Sequence, residues 1–245
     1  MRVAAYQAPL LASGSMEALG LLQLRLDQCK AEGVAILCCP EAILGGLADD
    51  GVDPASFAIP TRRIDVTLAP LRSDTVTTIV GFTERADTGL LHNSAAVCHR
   101  GAVVGVYRKL HPAINRSVYE PGRETPVFHV GPLTFGIIIC SDSNFPEPAR
   151  RMAACGATVL FVPTNNGLPP AKGGPELVAC TRKADIARAT ENRVWVIRAD
   201  VAGRAGGLVS HGSSAIVDPR GVVVQSAPEL SEGLLVAEIG SDSPG

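Results

Sequence analysis

A surplus of charge is the first thing missing. In 245 residues, 22 Lys and Arg stand against 24 Asp and Glu, a net charge of -2, with an isoelectric point near 6.2. That balance offers no electrostatic footprint for nucleic acid or an anionic membrane, so neither partner is expected. No uninterrupted apolar run approaches the ~18 residues of a membrane span, and the opening Met1-Arg-Val-Ala-Ala-Tyr-Gln7 has no long apolar core of a signal peptide, so the cytoplasm is the expected location. Metal-ligand spacing is also lacking. The seven cysteines (29, 38, 39, 98, 140, 155 and 180) contain no Cys-x-x-Cys, and the five histidines (92, 99, 111, 129 and 211) are scattered. Reduced thiols, structural or surface histidines and no metal follow. Repeats, heptads and low-complexity tracts are absent as well.

What is present is apolar: 46% hydrophobic residues against 19% charged. This describes a globular chain with much buried sheet; its length fits one large domain as well as two small ones, and a single domain over 1–245 is the preferred reading. Residues 2–7 read as a strand. Ser15 can cap a helix on which Met16, Leu19, Leu22, Leu26 and Cys29 share a face, and Gly33 ends it. A second buried strand over 34–39 runs into Pro40-Glu41, and this strand, helix, strand order requires a parallel pair. In that strand, alternation sends Cys38 and Cys39 to opposite faces, both into core. Residues 45–70, rich in Gly, Pro and Asp, read as loop and irregular helix. Strands follow over 76–82, 93–98 and 102–107, the last two a hairpin about His99-Arg100-Gly101. Further on, strands are expected over 157–162, 194–199, 214–217, 222–225 and 234–239, with a helix over 175–192 that has Pro in its first turn. Helices and strands alternate with hairpins between, an α/β arrangement of mixed sheet under helices.

The stretch Leu133-Thr-Phe-Gly-Ile-Ile-Ile-Cys140-Ser-Asp-Ser-Asn-Phe-Pro-Glu147 stands out. Residues 133–139 read as a buried strand, and Cys140 falls where it stops, ahead of a helix starting near Pro146 that Asn144 can cap and Gly156 can end. A cysteine between a strand end and a helix start has free backbone N–H groups nearby that suit a developing oxyanion. The bland alternative is a small hydrophobe inert in the core.

Three pieces then occur in one order: Pro40-Glu41 at a strand end, Tyr107-Arg-Lys109-Leu-His-Pro112 after a strand, and Cys140-Ser-Asp142 with Phe145-Pro-Glu147. Taken singly, Glu41 reads as a solvated charge and Lys109 as surface. Together they resemble the nitrilase superfamily, the carbon-nitrogen hydrolases, whose signature is Glu, Lys and Cys in that order. The likeness extends to Gly156-Ala-Thr-Val-Leu, Arg188-Ala-Thr-Glu-Asn192 and Gly212-Ser-Ser-Ala-Ile-Val-Asp-Pro219. It implies a four-layer α-β-β-α sandwich, pairing into homodimers, and a hydrolase that cleaves a C–N bond of a small non-peptide amide through a thioester on Cys140. Glu41 is then the general base and Lys109 the cation that offsets the oxyanion, with help from the Ser141 N–H. No metal or organic cofactor is needed. Asn165, in the loop 164–174, is expected near the substrate.

Two departures from the family pattern concern substrate class. Before Tyr119, where many members carry a second glutamate, the loop reads Asn115-Arg-Ser-Val; Glu120 follows the aromatic instead and is the candidate replacement, with Asp142 the other acceptor for Lys109. Asp142 reads equally well as a turn aspartate bonding loop backbone. Asp200 stands where an asparagine is common. Competing functions are an N-carbamoyl amide hydrolase or nitrilase of the same family, a catalytically silent binding or scaffold relative, and a flavodoxin-like α/β hydrolase using Cys140 differently.

Overall fold

The structure is a computed structural model and describes residues 1–15, 17–47, 53–113 and 118–240. Met16 of the expected first helix, residues 48–52 of the expected loop, and Asn115, Arg116 and Ser117 lie outside them. The first half of the chain contributes β1 (Arg2–Pro9), α1 (Glu17–Ala31), β2 (Ile36–Cys38), β3 (Ile59–Pro60), α2 (Ile64–Thr67), β4 (Thr77–Arg85), β5 (Leu91–His99) and β6 (Ala102–Arg108). The second half contributes β7 (Val127–Val130), β8 (Leu133–Ile137), α3 (Pro146–Ala154), β9 (Val159–Pro163), α4 (Pro175–Asn192), β10 (Trp195–Ala199), β11 (Val201–Ala205), β12 (Leu208–Ser210), β13 (Ala215–Val217), β14 (Val223–Ser226) and β15 (Gly233–Glu238). One sheet runs β12-β11-β1-β2-β4-β5-β6, with β15 beside β1 and β3 beside β4; the other runs β14-β13-β10-β9-β8-β7.

Strand alternation sorts the residues into layers. Val3, Ala5, Ile36, Cys38 and Ile79 pack with Phe135, Phe161 and Ile197 of the second sheet. On the opposite face, Ala4, Tyr6, Leu37 and Cys39 pack under Leu22, Leu26 and Cys29 of α1. Cys38 and Cys39 therefore enter different cores, as their adjacency demands. Met152 of α3 and Ala189 of α4 close the second sheet. The result is the α-β-β-α sandwich. The expected hairpin joins β5 and β6 through Arg100 (φ 46°) and Gly101 (φ 78°), two left-handed residues that match the strand twist.

Some local expectations are corrected. Asn144 does not cap α3: Phe145 is the extended residue ahead of the helix and makes no side-chain cap bond, while Cys140–Asn144 form a 3-10 turn. The chain turns directly out of the strand, so Asn144 is spent closing that turn and Pro146 starts the helix. Strands β3, β7, β11 and β12 were not expected, because each is short and β11 (Val201-Ala-Gly-Arg-Ala205) has no clean apolar alternation.

Parallel β2, β8, β9 and β10 bring the segments after them to one rim, and the end of β6 arrives there through the β4-β5-β6 meander. The turn after β2 lies against β4 so closely that a Cβ on Gly81 would sit 2.3 Å from the Pro40 carbonyl oxygen and 2.6 Å from the Ala42 nitrogen. Gly81→Ala is therefore expected to lower stability by about 1–3 kcal/mol. Gly20→Ala, with open space around the added methyl on α1, should raise it by up to ~1 kcal/mol. Thermal unfolding of the two variants checks the contrast, and equal effects would contradict the close approach.

Candidate active site

The thiol sits in a strained turn. Cys140 has φ 45°, a left-handed conformation that costs a non-glycine residue about 1–3 kcal/mol and persists only where neighbours hold it. Those neighbours are identifiable. The Asp142 N–H donates to the Ile139 carbonyl at 2.9 Å, and Asp142 Oδ2 accepts from the Ile139 N–H at 3.0 Å. Ser143 Oγ donates to the Cys140 carbonyl at 2.8 Å and accepts from Arg198 Nη2 at 2.9 Å. Arg198 is fully buried on β10, where Asp185 of α4 balances it through contacts of 2.8 and 2.5 Å, and its Nη1 reaches Thr164 Oγ1.

Asp142 also fixes the segment carrying Lys109. Its Oδ2 accepts from the Tyr107 hydroxyl at 2.8 Å and its Oδ1 from the His111 N–H at 2.8 Å. Both halves of the open reading apply: this aspartate bonds loop backbone, and by doing so it ties the end of β6 to the thiol turn. Burial raises its pKa, opposed by the Lys109 charge and these donors.

Glu41 follows β2, and its neighbour Ala42 is also left-handed (φ 45°). The Glu41 carboxylate is buried. Its Oε1 accepts from Lys109 Nζ at 2.5 Å and Asn93 Nδ2 at 2.7 Å, and its Oε2 accepts from the Asn165 N–H at 2.9 Å. Burial disfavours the Lys109 ammonium, but the neighbouring anions, Glu41 above all and Asp142, outweigh it and raise the lysine pKa. The partly buried Cys140 thiol is pushed up to about 12, first by burial and then by the Glu41 charge, against the lowering effect of Lys109 and Arg198. Electrostatics thus link Glu41, Lys109 and Cys140 in one cluster.

The remaining expected residues are placed differently. Ser141 lies beside the thiol, its Oγ donating to the His111 carbonyl at 2.6 Å. It lines a depression of about 540 Å3 with His111, Tyr119, Asn144 and Phe145, the His111 and Phe145 rings stacked 3.8 Å apart. Asn165 adjoins the cluster through its backbone: its N–H donates to Glu41 Oε2, and its Oδ1 accepts from the Gly167 N–H at 3.0 Å within its own loop. The expectation for Glu120 is corrected. Tyr119 turns inward and is buried, whereas Glu120 is half-exposed and lines a separate depression with Glu84, Arg108 and Arg123. The acceptor that Lys109 needs is Glu41. Among the described residues no group of three or more His, Cys, Asp or Glu could hold a metal ion, and no helix is long and apolar enough to cross a membrane.

Sequence reasoning missed Asn93, Asn166 and Arg198. Arg198 had a signal: a guanidinium inside the apolar run Val194-Trp-Val-Ile-Arg-Ala199 has to find a buried partner. Asp200, just beyond, is fully buried, and its pKa is raised by burial against the Ser213 hydroxyl and the Asn166 and Val201 N–H groups. Asn166 bonds it, and carries an amide oxygen 4.0 Å from Cys140 Sγ.

The carbon-nitrogen hydrolase family model matches residues 2–243. The chain belongs to the carbon-nitrogen hydrolase family. It is 36% identical to a nitrilase of Pyrococcus abyssi over 87% of this chain and 80% of the relative. A second relative, an (R)-stereoselective amidase of Pseudomonas sp., is 34% identical over 78% of this chain and 68% of its own length. The fold matches that of an amidase from Nesterenkonia sp. AN1 with a TM-score of 0.82 at 24% identity, over 98% of this chain and 90% of that one; that structure shows the acetamide moiety of fluoroacetamide covalently added at its active-site cysteine. This chain is a carbon-nitrogen hydrolase by family, and the cluster described above is its candidate active site.

The electrostatics give a testable sign. A thiol with a pKa of about 12 is neutral across the physiological range, so alkylation of Cys140 by iodoacetamide should keep accelerating above pH 10. Glu41→Gln removes an anion that raises the thiol pKa, so the inflection should move down. Peptide mass mapping of Cys140 against pH reads both. An inflection near the ordinary ~8.5 in the wild type, or an upward move in Glu41→Gln, would contradict the charge arrangement.

Proposed function

We propose that this carbon-nitrogen hydrolase cleaves a small non-peptide amide, releasing ammonia or an amine through a thioester on Cys140. The observation that carries it is the buried Glu41–Lys109 pair, 2.5 Å apart, electrostatically coupled to a thiol in a strained turn. A neutral thiol is a poor nucleophile, so its proton must leave as sulfur attacks. Glu41 takes that proton while Sγ adds to the amide carbon, and the carbonyl electron pair moves onto oxygen. Proton transfer also neutralises Glu41, which frees the positive charge of Lys109 to face the new oxyanion, together with the Ser141 N–H. The tetrahedral intermediate collapses as Glu41 returns the proton to the departing nitrogen. Water then gives a proton to Glu41 and adds to the thioester, and the second collapse releases the carboxylic acid and restores the thiol. The depression beside Ser141, about 540 Å3 and walled by His111, Tyr119 and Phe145, suits a small substrate rather than a folded polypeptide.

The relatives support this reading by name, one a nitrilase and one an amidase. All seven cysteines are free, in keeping with a reducing cytoplasm, and a homodimer remains the proposed assembly.

Cys140→Ala should abolish hydrolysis with the fold retained. Lys109→Ala should lower kcat at least about a hundredfold, as loss of an oxyanion donor does. Glu120→Gln should stay within a few fold of the wild type. An ammonia-release assay on a panel of small amides reads all three, and turnover by Cys140→Ala would end the thioester mechanism. Sedimentation at micromolar concentration should show at least a dimer, and a 25.5 kDa species alone would overturn the assembly.

A further inference from the structure

Asp200 and Asn166 make an oriented hydrogen-bond relay that ends at the thiol. Asp200 is fully buried at the end of β10. Its Oδ1 accepts from the Asn166 N–H at 3.0 Å and the Val201 N–H at 2.8 Å. Its Oδ2 accepts from Asn166 Nδ2 at 2.9 Å, the Ser213 N–H at 3.0 Å and the Ser213 hydroxyl at 2.6 Å. Every contact of the two side-chain oxygens is with a donor, so the Asp200 carboxylate acts as an acceptor only, while the backbone N–H of residue 200 donates to Ser214 Oγ at 2.8 Å.

That decides the orientation of the next amide. An asparagine side chain offers two N–H donors on one side and an acceptor oxygen on the other, and a carboxylate partner can satisfy only the donor side. Asn166 Nδ2 is spent on Asp200 Oδ2 and, at 3.2 Å, on Ser213 Oγ. The oxygen is left facing Cys140 Sγ at 4.0 Å. A rotated amide would set oxygen against carboxylate and leave buried donors unpaired.

From this geometry we infer that Asn166 Oδ1 accepts a hydrogen bond from an N–H on the carbon-bound nitrogen of the substrate, so that the site selects primary amides over the matching nitriles. The inference rests on the proposed hydrolysis and names the substrate class within it. A neutral primary amide presents a carbonyl acceptor and two N–H donors. In the site, Lys109 answers the acceptor and Asn166 answers a donor. The nitrile nitrogen is an acceptor with no hydrogen to give, so once the thiol proton passes to Glu41 the Asn166 oxygen is left desolvated and unpaired. Sites built around one substrate N–H or O–H discriminate against the analogue lacking it by up to ~10⁴. Asp200 is the positioning residue: it touches no reacting atom and acts by holding the amide of Asn166 one way round.

The test is a matched pair, propionamide and propionitrile, with kcat/KM measured for the wild type, Asn166→Leu and Asp200→Asn. The wild type should favour the amide at least about a hundredfold. Asn166→Leu, which removes the acceptor, should cut the amide-to-nitrile ratio tenfold or more. Asp200→Asn keeps size but offers a donor of its own, so Asn166 loses its orientation and the ratio falls in the same direction. Thermal unfolding and Cys140 alkylation separate this from general damage, which lowers both substrates together and leaves the ratio unchanged. A wild type that prefers the nitrile, or a ratio unmoved in both variants while both substrates are still turned over, would overturn the inference and leave the proposed hydrolysis standing. Failure to turn over either substrate, or any other amide, would strike the hydrolysis itself.

Discussion

The constraint on which the rest depends is a pair of opposite charges taken out of water. The side chains of Glu41 and Lys109 are 1% and 4% exposed and meet at 2.5 Å. Removing each ion from water costs several kcal/mol, and their attraction offsets this only when the leftover donors and acceptors are also satisfied. Here Asn93 and the Asn165 N–H complete the carboxylate. The lysine backbone is pinned in turn, its N–H on the Asn93 carbonyl and its carbonyl taking the Gly122 N–H. These groups come from the ends of β2, β6 and β9 and the start of β5. The sandwich must therefore bring those strand ends to one rim, and either charge alone would be a liability there.

A second buried network sets the thiol against that pair. Tyr107 and His111 flank Lys109 in the chain, and both bond Asp142, two residues from Cys140. The lysine is thereby registered against the cysteine through a single carboxylate. Arg198 does the same from the opposite side: through Ser143 it reaches the Cys140 carbonyl, and through Thr164 the loop whose carbonyl accepts the Glu41 N–H. A cysteine at φ 45° needs such support, because nothing in its own backbone preference keeps it there. The strained residue, the ion pair and the two networks share members, so substitutions among them should not add independently.

Much of this was legible from the chain. Apolar runs marked β2, β8, β9 and β10, and the resemblance to the nitrilase superfamily, carried by the Glu, Lys and Cys order, singled out Glu41, Lys109 and Cys140, which taken singly read as surface charges and a core thiol. What was not legible depended on contacts across the sequence. Nothing near Glu120 shows that Tyr119, rather than the glutamate, turns inward; Glu120 lines a depression with Arg108 and Glu84, which strands β6 and β4 bring to it. Asn165 and Asn166 are adjacent and chemically identical, and only the positions of Glu41 and Asp200 separate a backbone donor from a side-chain acceptor. Asn144 looked like a cap because the sequence pattern does not distinguish a 3-10 turn from a free helix start. Asp200 was visible as a departure, but its consequence needed the Ser213 and Asn166 geometry.

The polarity around the sulfur follows from these placements. Burial and the Glu41 anion hold the thiol neutral, with its pKa pushed up to about 12. A neutral resting nucleophile resists adventitious electrophiles, while the exposed Cys155 and Cys180 remain open to them. In the proposed reaction the same environment becomes favourable once Glu41 accepts the proton. The Glu41 anion is then cancelled, and the Lys109 charge it had paired is directed at the developing negative charge. Activation in that reaction is thus coupled to the reaction coordinate rather than stored in a standing thiolate.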